Sequence, residues 1–165
     1  MLKPAILFKE EIENNFKKYY YTDDMMYETG TLNNWLPNVQ EEPQDGQYQY
    51  AIVNSQDKLI GYLDYHIDWY CSCAHKFGLI SFDRGNPTIG KDLYNELNKL
   101  INDYKLHRIE WQMVSGNPAE RSYDRFCKKF NGTKHILKDS IKDKYGKYHN
   151  DIIYEIINNK HETSN

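Results

Sequence analysis

The sequence predicts an α+β protein, layered α/β/α, in which helices flank a mixed but mostly antiparallel sheet of about six to seven strands. Two observations carry this reading. A tripeptide occurs twice, as Gly85-Asn86-Pro87 and Gly116-Asn117-Pro118, each time after a short apolar run and each time opening an amphipathic helical pattern. Strand, glycine turn, helix, strand, glycine turn, helix is a βαβα unit, which requires parallel strands with right-handed crossovers. Around that unit, two pairs of alternating segments read as antiparallel hairpins.

Taken in order, Ile12, Phe16, Tyr19 and Tyr20 recur at helical spacing between Lys9 and Tyr20. A second short helix or turn is expected at Thr22–Tyr27, ended by Gly30. The stretch from Pro37 to Gly46 is polar and holds Pro43, so it reads as a surface loop. Two β-branched, alternating segments follow, Gln47–Val53 and Leu59–Ile67, joined by the turn residues 54–58. Trp69–His75 reads as a connection and Lys76–Phe82 as the next strand. Between Thr88 and Tyr104, Ile89, Leu93, Leu97, Leu100 and Ile101 make one apolar stripe, with Lys91, Asp92, Asn95 and Lys99 largely opposite. After the Arg108–Val114 strand, Ala119, Tyr123, Phe126, Cys127 and Phe130 share the face of a second helix that Asn131-Gly132 ends. A last hairpin runs through His135–Leu137, a turn at 144–147, and Asp151–Ile157. Residues 1–158 therefore read as a single domain and 159–165 as a polar tail.

Bulk properties narrow the function. A chain of 165 residues, 39% hydrophobic and 27% charged, is long enough for a proper core. A formal charge of −3, from 21 basic and 24 acidic residues, argues against a nucleic-acid partner. No apolar run reaches membrane-spanning length, and the start lacks the features of a secretory signal, so no membrane partner is expected. Three cysteines cannot all pair within the chain; reduced thiols in a cytoplasmic protein are the expectation.

Both glycine turns have a plain structural explanation. Glycine ends a strand, asparagine caps the helix, and proline at the first helical position gives up no needed amide. Asn117-Pro118-Ala119-Glu120 has the form of a capping box. The first turn also lies one residue from a phosphate-binding P-loop, with Gly85, Gly90 and Lys91 in place. Asp92 stands where such a loop needs a hydroxyl for magnesium, and no later strand ends in the aspartate that completes the site. A Rossmann fingerprint is absent.

A third reading covers the chain from Gln47 to Ile157. The element order resembles the GNAT superfamily of acyl-CoA N-acyltransferases. Their phosphate loop, often R-G-x-G-I-G, aligns with Gly85-Asn86-Pro87-Thr88-Ile89-Gly90: the final Ile-Gly is kept, Thr88 replaces the middle glycine, and the arginine stands one place early at Arg84. Their later motif N-x-x-A-x-x-x-Y-x-x-x-G-F is echoed by Asn117, Ala119, Tyr123 and Phe130-Asn131-Gly132, with the asparagine one place closer to the alanine.

The resemblance implies that the fourth and fifth strands start side by side and splay apart. The pantetheine arm of acetyl-CoA would enter the splay and pair with strand amides around Leu79, Ile80, Ser81 and Phe82. Its pyrophosphate would rest near Gly85, Asn86, Thr88, Ile89, Gly90 and Lys91, with charge from Arg84 or Lys91 and a contact from Asn117. An amine would attack the thioester directly. A strand amide near Ile80 or Ser81 would hold the oxyanion and Tyr123 would protonate the leaving sulfur, although Tyr123 equally reads as a packing residue. For the base, Asp64, His66 and Glu110 are candidates. The acceptor would be an amine-bearing small molecule or peptide, no metal is implied, and a homodimer is compatible. A non-catalytic binding or sensor module of the same fold is the rival reading, and a P-loop-like nucleotide binder stands behind it.

Other groupings are weaker. Cys71, Cys73 and His75 lack the fourth ligand that structural zinc requires. Cys127 lies on the apolar helix face, where thiols are inert. Tyr19, Tyr20, Tyr21, Trp35, Trp69 and Tyr70 suit an acceptor pocket, a dimer interface or edge packing.

Overall fold

The computed structural model describes residues 1–19 and 38–159. The turn expected at Thr22–Tyr27, together with Tyr20, Tyr21, Gly30, Trp35 and the tail from Lys160, lies outside the described residues. The elements are β1 (Leu2–Pro4), a 3-10 turn (Ala5–Phe8), α1 (Lys9–Tyr19), β2 (Gln47–Val53), β3 (Leu59–Asp68), β4 (Cys73–Ser81), α2 (Pro87–Asn102), β5 (Arg108–Val114), α3 (Glu120–Lys129), β6 (Thr133–Lys142) and β7 (Tyr148–Ile157). The strands form one sheet in the order β1-β2-β3-β4-β5-β7-β6. All neighbours run antiparallel except β4 and β5, which are parallel.

Alternation along the strands divides the core between the two faces. Ile52, Leu63, Tyr65, Ile109, Trp111 and Met113 face α2 and α3, where the stripe Ile89, Leu93, Leu97, Leu100 and Ile101 packs with Phe126 and Cys127. Ala51, Tyr62 and Ile80 face the other way and pack against Ile12 and Phe16 of α1. This is the layered arrangement expected from the sequence. Among the described residues no helix is long and apolar enough to cross a membrane.

Several boundaries differ from the sequence expectation, β7 for instance beginning at Tyr148 rather than Asp151. β1 pairs Leu2 with Ile52 and Pro4 with Tyr50, but three residues are too few to show a period. β4 begins at Cys73 rather than Lys76, because Lys76 itself sits at φ 56 and interrupts the alternation midway. Its opposite number is the register shift between Asp64 and His66, so a β-bulge occupies the middle of the strand. β6 runs well beyond His135–Leu137 and is bent at Asp139, φ 51, where its pairing with β7 shifts. At the end of α3, Asn131 takes the left-handed conformation, φ 53. Gly132 instead permits a close approach, since a Cβ there would lie 2.6 Å from the Glu155 carbonyl oxygen and 2.7 Å from Cys127 Sγ.

The bulge has a consequence for the whole sheet. β4 and β5 share only the pairs Cys73 with Arg108 and Ala74 with Ile109. Beyond Lys76, β4 continues on β3 as far as Gly61 with Ser81, and β5 continues on β7 as far as Val114 with Asp151. The two strands therefore fork, as expected, and the fork opens toward the two glycine turns.

Candidate active site

A cavity of about 500 Å³ lies at the open end of the fork, between α2 and α3, within the size range of small-molecule sites. Leu79, Leu93, Leu97 and Phe126 make its apolar wall, and the two glycine turns make its rim. Of the residues the sequence nominates for the cofactor, Leu79, Ser81, Arg84, Gly85, Asn86, Ile89, Gly90, Asn117 and Tyr123 line it.

Ile80, Phe82, Thr88 and Lys91 do not, each for a local reason. Ile80 is 1% exposed in the α1 core. Phe82 N–H donates to the Ile60 carbonyl at 2.9 Å, so in the antiparallel ladder Ile80 bonds to Tyr62 while Leu79 and Ser81 direct their peptide groups toward β5. The alternation therefore moves the strand amides of interest from Ile80 to its two neighbours. The Phe82 ring packs on Phe16 and Tyr19, and its carbonyl accepts from the Tyr19 hydroxyl at 3.0 Å. Lys91 is exposed outside the wall.

Thr88 shows how the first turn satisfies itself. Asn86 is the N-cap of α2, and its Oδ1 accepts from the Thr88 N–H at 3.0 Å. Ile89 N–H donates to the Asn86 carbonyl at 3.2 Å, and Pro87 has no N–H. Asp83 fixes the cap by accepting from Asn86 Nδ2 at 2.8 Å. The second turn departs from the expected capping box. Asn117 Oδ1 accepts from Ala119 N–H at 2.9 Å, Glu120 Oε2 reaches the Gly116 N–H at 3.4 Å, and α3 begins only at Glu120. Gly85 and Gly116 hold φ values of 80 and 87, which few other residues tolerate. Gly90 is different. It lines the cavity, and a Cβ added there meets no atom within 4 Å, so the space in front of it is empty.

The catalytic candidates divide between the faces. Tyr123, on α3, lines the cavity and meets Trp111 and Tyr154 edge-on with ring centroids 5.9 Å away; it packs and faces the cavity at once. Asp64 lies on the α1 face of β3, opposite Gly78 of β4, just before the bulge. A Cβ at residue 78 would collide with its carboxylate, so glycine is what lets Asp64 approach β4. Burial pushes the Asp64 carboxyl up to about 7, against the lowering pull of hydrogen bonds from the Tyr62 hydroxyl and the Gly78 N–H. Glu110 points to the same face as Asp64, away from the cavity, and accepts from Arg108 Nη2 at 2.6 Å. Arg108 also pairs with Glu155 at 2.9 Å, so Glu110 serves an ion-pair network. His66 faces His75 across the strands, ring centroids 5.3 Å apart.

The remaining candidates carry no site. Cys73 Sγ donates to the Cys71 carbonyl at 3.2 Å, and among the described residues no group of three or more His, Cys, Asp or Glu side chains is placed to hold a metal. Cys127 is buried, which pushes its thiol up. Sequence reasoning missed Leu93, Leu97 and Phe126 as cavity wall, since their stripes signal only core. It also missed the bulge at Lys76, a left-handed lysine with no side-chain signature.

A parallel strand pair that parts over a helix-walled cavity is the architecture of the GNAT fold, and the chain has that fold. No family model and no curated protein sequence matches it. Solved structures do. Mutant forms of the spermidine/spermine N-acetyltransferase SpeG from Vibrio cholerae superpose with a TM-score of 0.66 at 14% identity, over 98% of this chain and 95% of theirs. The same protein in complex with manganese ions gives 0.58 at 16% identity, over 93% of this chain and 76% of that one. A SpeG chimera from Vibrio cholerae and hSSAT gives 0.59 at 16% identity, over 94% and 80%.

Proposed function

We propose that this chain is an N-acetyltransferase that moves the acetyl group of acetyl-CoA to a primary amine by direct attack. The fork carries the reading, because it gives an extended thioester arm a slot between two strands. The apolar wall of Leu79, Leu93 and Leu97 suits the pantetheine arm. The rim, with Arg84, Asn117 and the start of α2, suits the diphosphate through charge and helix dipole. The acceptor approaches from the α1 face, where the Asp64 carboxylate meets its ammonium group, while Glu110 and Glu155 stay paired with Arg108. The spermidine acetyltransferases of the same fold support an amine acceptor. Free cysteines at 71, 73 and 127 suit a cytoplasmic setting.

Each group has one part in the step. Asp64, as carboxylate, takes a proton from the ammonium. The neutral amine attacks the thioester carbon, and peptide N–H groups on the β5 side of β4 stabilise the oxyanion. The C–S bond then breaks, and Tyr123 gives its proton to the departing thiolate.

Acetyl-CoA at about a hundred times its dissociation constant is expected to stabilise the fold by about 2.7 kcal/mol, read as a higher unfolding midpoint. ATP with magnesium is expected to leave the midpoint unchanged. Gly90→Leu isolates the cavity: its side chain projects into empty space, so the free protein keeps its midpoint while acetyl-CoA affinity falls by about tenfold or more. Unchanged affinity in titration calorimetry removes Gly90 from the site. A second reading, a binding or sensor module, is favoured by the first turn, where the Asn86 cap already takes the Thr88 amide. Acetyl-CoA binding with no transfer to any amine, spermidine included, would select it.

A further inference from the structure

Asp64 stands in β3 with Gln49 of β2 directly opposite on one side and Gly78 of β4 on the other. The Gln49 amide turns to fixed partners. Its Oε1 accepts from the Gln40 N–H at 2.8 Å, and its Nε2 donates to the Asn38 carbonyl at 2.7 Å. A backbone N–H can only donate and a carbonyl can only accept, so these two bonds decide which end of the amide is which. The second Nε2 hydrogen then points at the Tyr62 hydroxyl, 2.8 Å away. Val39, between the two backbone partners, is 1% exposed in the α1 core and holds the loop in place.

Tyr62 lies two residues before Asp64 on the same face of β3 and is fully buried, with Phe16 of α1 edge-on to its ring at 5.1 Å. A hydroxyl has one proton to give. Because Gln49 donates to it, Tyr62 keeps that proton for the Asp64 carboxyl, to which it is hydrogen-bonded. Burial pushes the phenol well above its ordinary range, so it stays protonated while Asp64 titrates. On the other flank, Asp64 Oδ1 rests against Gly78. The other ionisable groups of this face are His66 on the same strand, His75 on β4 and the Arg108–Glu110 pair on β5, while α1 brings the apolar Ile12 and Phe16 to Tyr62.

We propose that Gln49 and Tyr62 are positioning residues for the base: Gln49 directs the Tyr62 hydroxyl to donate to Asp64, and so holds the carboxylate that receives the ammonium proton, an inference that rests on the acyl-transfer reading above. The proton leaves the amine for Asp64, the amine keeps the electron pair, and Tyr62 retains its own proton throughout. A cation in place of Tyr62 would also stabilise the carboxylate, but it would repel the incoming ammonium. A neutral donor does not.

Tyr62→Phe keeps the ring against Phe16 and removes the proton. The Asp64 ¹³Cγ signal of the free protein is expected to titrate about one pH unit higher than in wild type. The pH–rate inflection should move with it, so that acetyl transfer falls about fivefold at pH 7 and largely recovers at pH 9. Gln49→Met, which takes the donor from the hydroxyl, should shift both in the same direction by less. A merely structural part for either residue would lower the unfolding midpoint and leave both inflections where they are. Wild-type protein supplies a readout that needs no variant to fold: the Tyr62 ¹³Cζ signal, assigned through its own backbone, should move with the same midpoint as Asp64. Inflections unmoved in folded Tyr62→Phe, or a Tyr62 signal that stays flat while Asp64 titrates, overturn the assignment and leave acyl transfer intact. A displaced Asp64 midpoint in a chain that transfers acetyl to no amine overturns the acyl-transfer reading, and the base assignment with it.

Discussion

Asp64→Asn is expected to lower acetyl transfer by about 10²–10⁴-fold, the usual contribution of a positioned base, with little change in acetyl-CoA affinity. The wild-type rate should rise with pH and level off above about 7, following ionisation of this carboxyl; the variant's residual rate should lose that inflection. Stability gives an independent view of the same proton. The folded carboxyl titrates near 7, whereas an unfolded aspartate titrates near about 4. Between those values the native state binds more protons than the unfolded chain, so Asp64 makes stability fall as pH rises across that window. Below it, and above about 7, its contribution is flat. Asn cannot titrate, so denaturant unfolding of the variant should show a shallower decline from pH 4 to pH 7. A pH–rate inflection that survives in Asp64→Asn assigns the base elsewhere.

Tyr123→Phe is the second large effect expected, a fall in kcat of about 10²-fold with cofactor binding nearly intact. The ring contacts with Trp111 and Tyr154 survive in phenylalanine, so stability should change little. The choice of acyl donor sharpens the test. Donors with better leaving groups need less help at sulfur, so a more acidic thiol should restore much of the lost rate. If turnover is unchanged with acetyl-CoA, Tyr123 is a packing residue.

Legibility in the sequence varies with the range of the interaction that fixes each element. The α2 stripe needs only its own spacing, and Ile89, Leu93, Leu97, Leu100 and Ile101 are buried as read. The bounds of β2 and β5 match the sequence reading because alternation and turn residues are local. The start of β4 does not, since Lys76 adopts a left-handed backbone that lysine does not advertise. Within the site, the Asn86 cap is readable from the residue before proline, but its use of the Thr88 amide shows only in the structure. The assignment of strand amides shifts from Ile80 to Leu79 and Ser81 because hydrogen-bond phase within a ladder is set by the partner strand. Asp64 is one of three bases the sequence nominates; its closeness to Gly78 and its raised titration are tertiary facts.

The seam between β4 and β5 is only two residue pairs long, so the sheet is mechanically two blades, β1 to β4 and β5 with β7 and β6. A slender molecule slipped between them works as a surrogate eighth strand, closing rows of peptide groups that the blades cannot close with each other. Its cohesion is delivered at the weakest line of the architecture. Occupancy should therefore register as slowed amide exchange along both inner edges, beneath the two helices that wall the cavity.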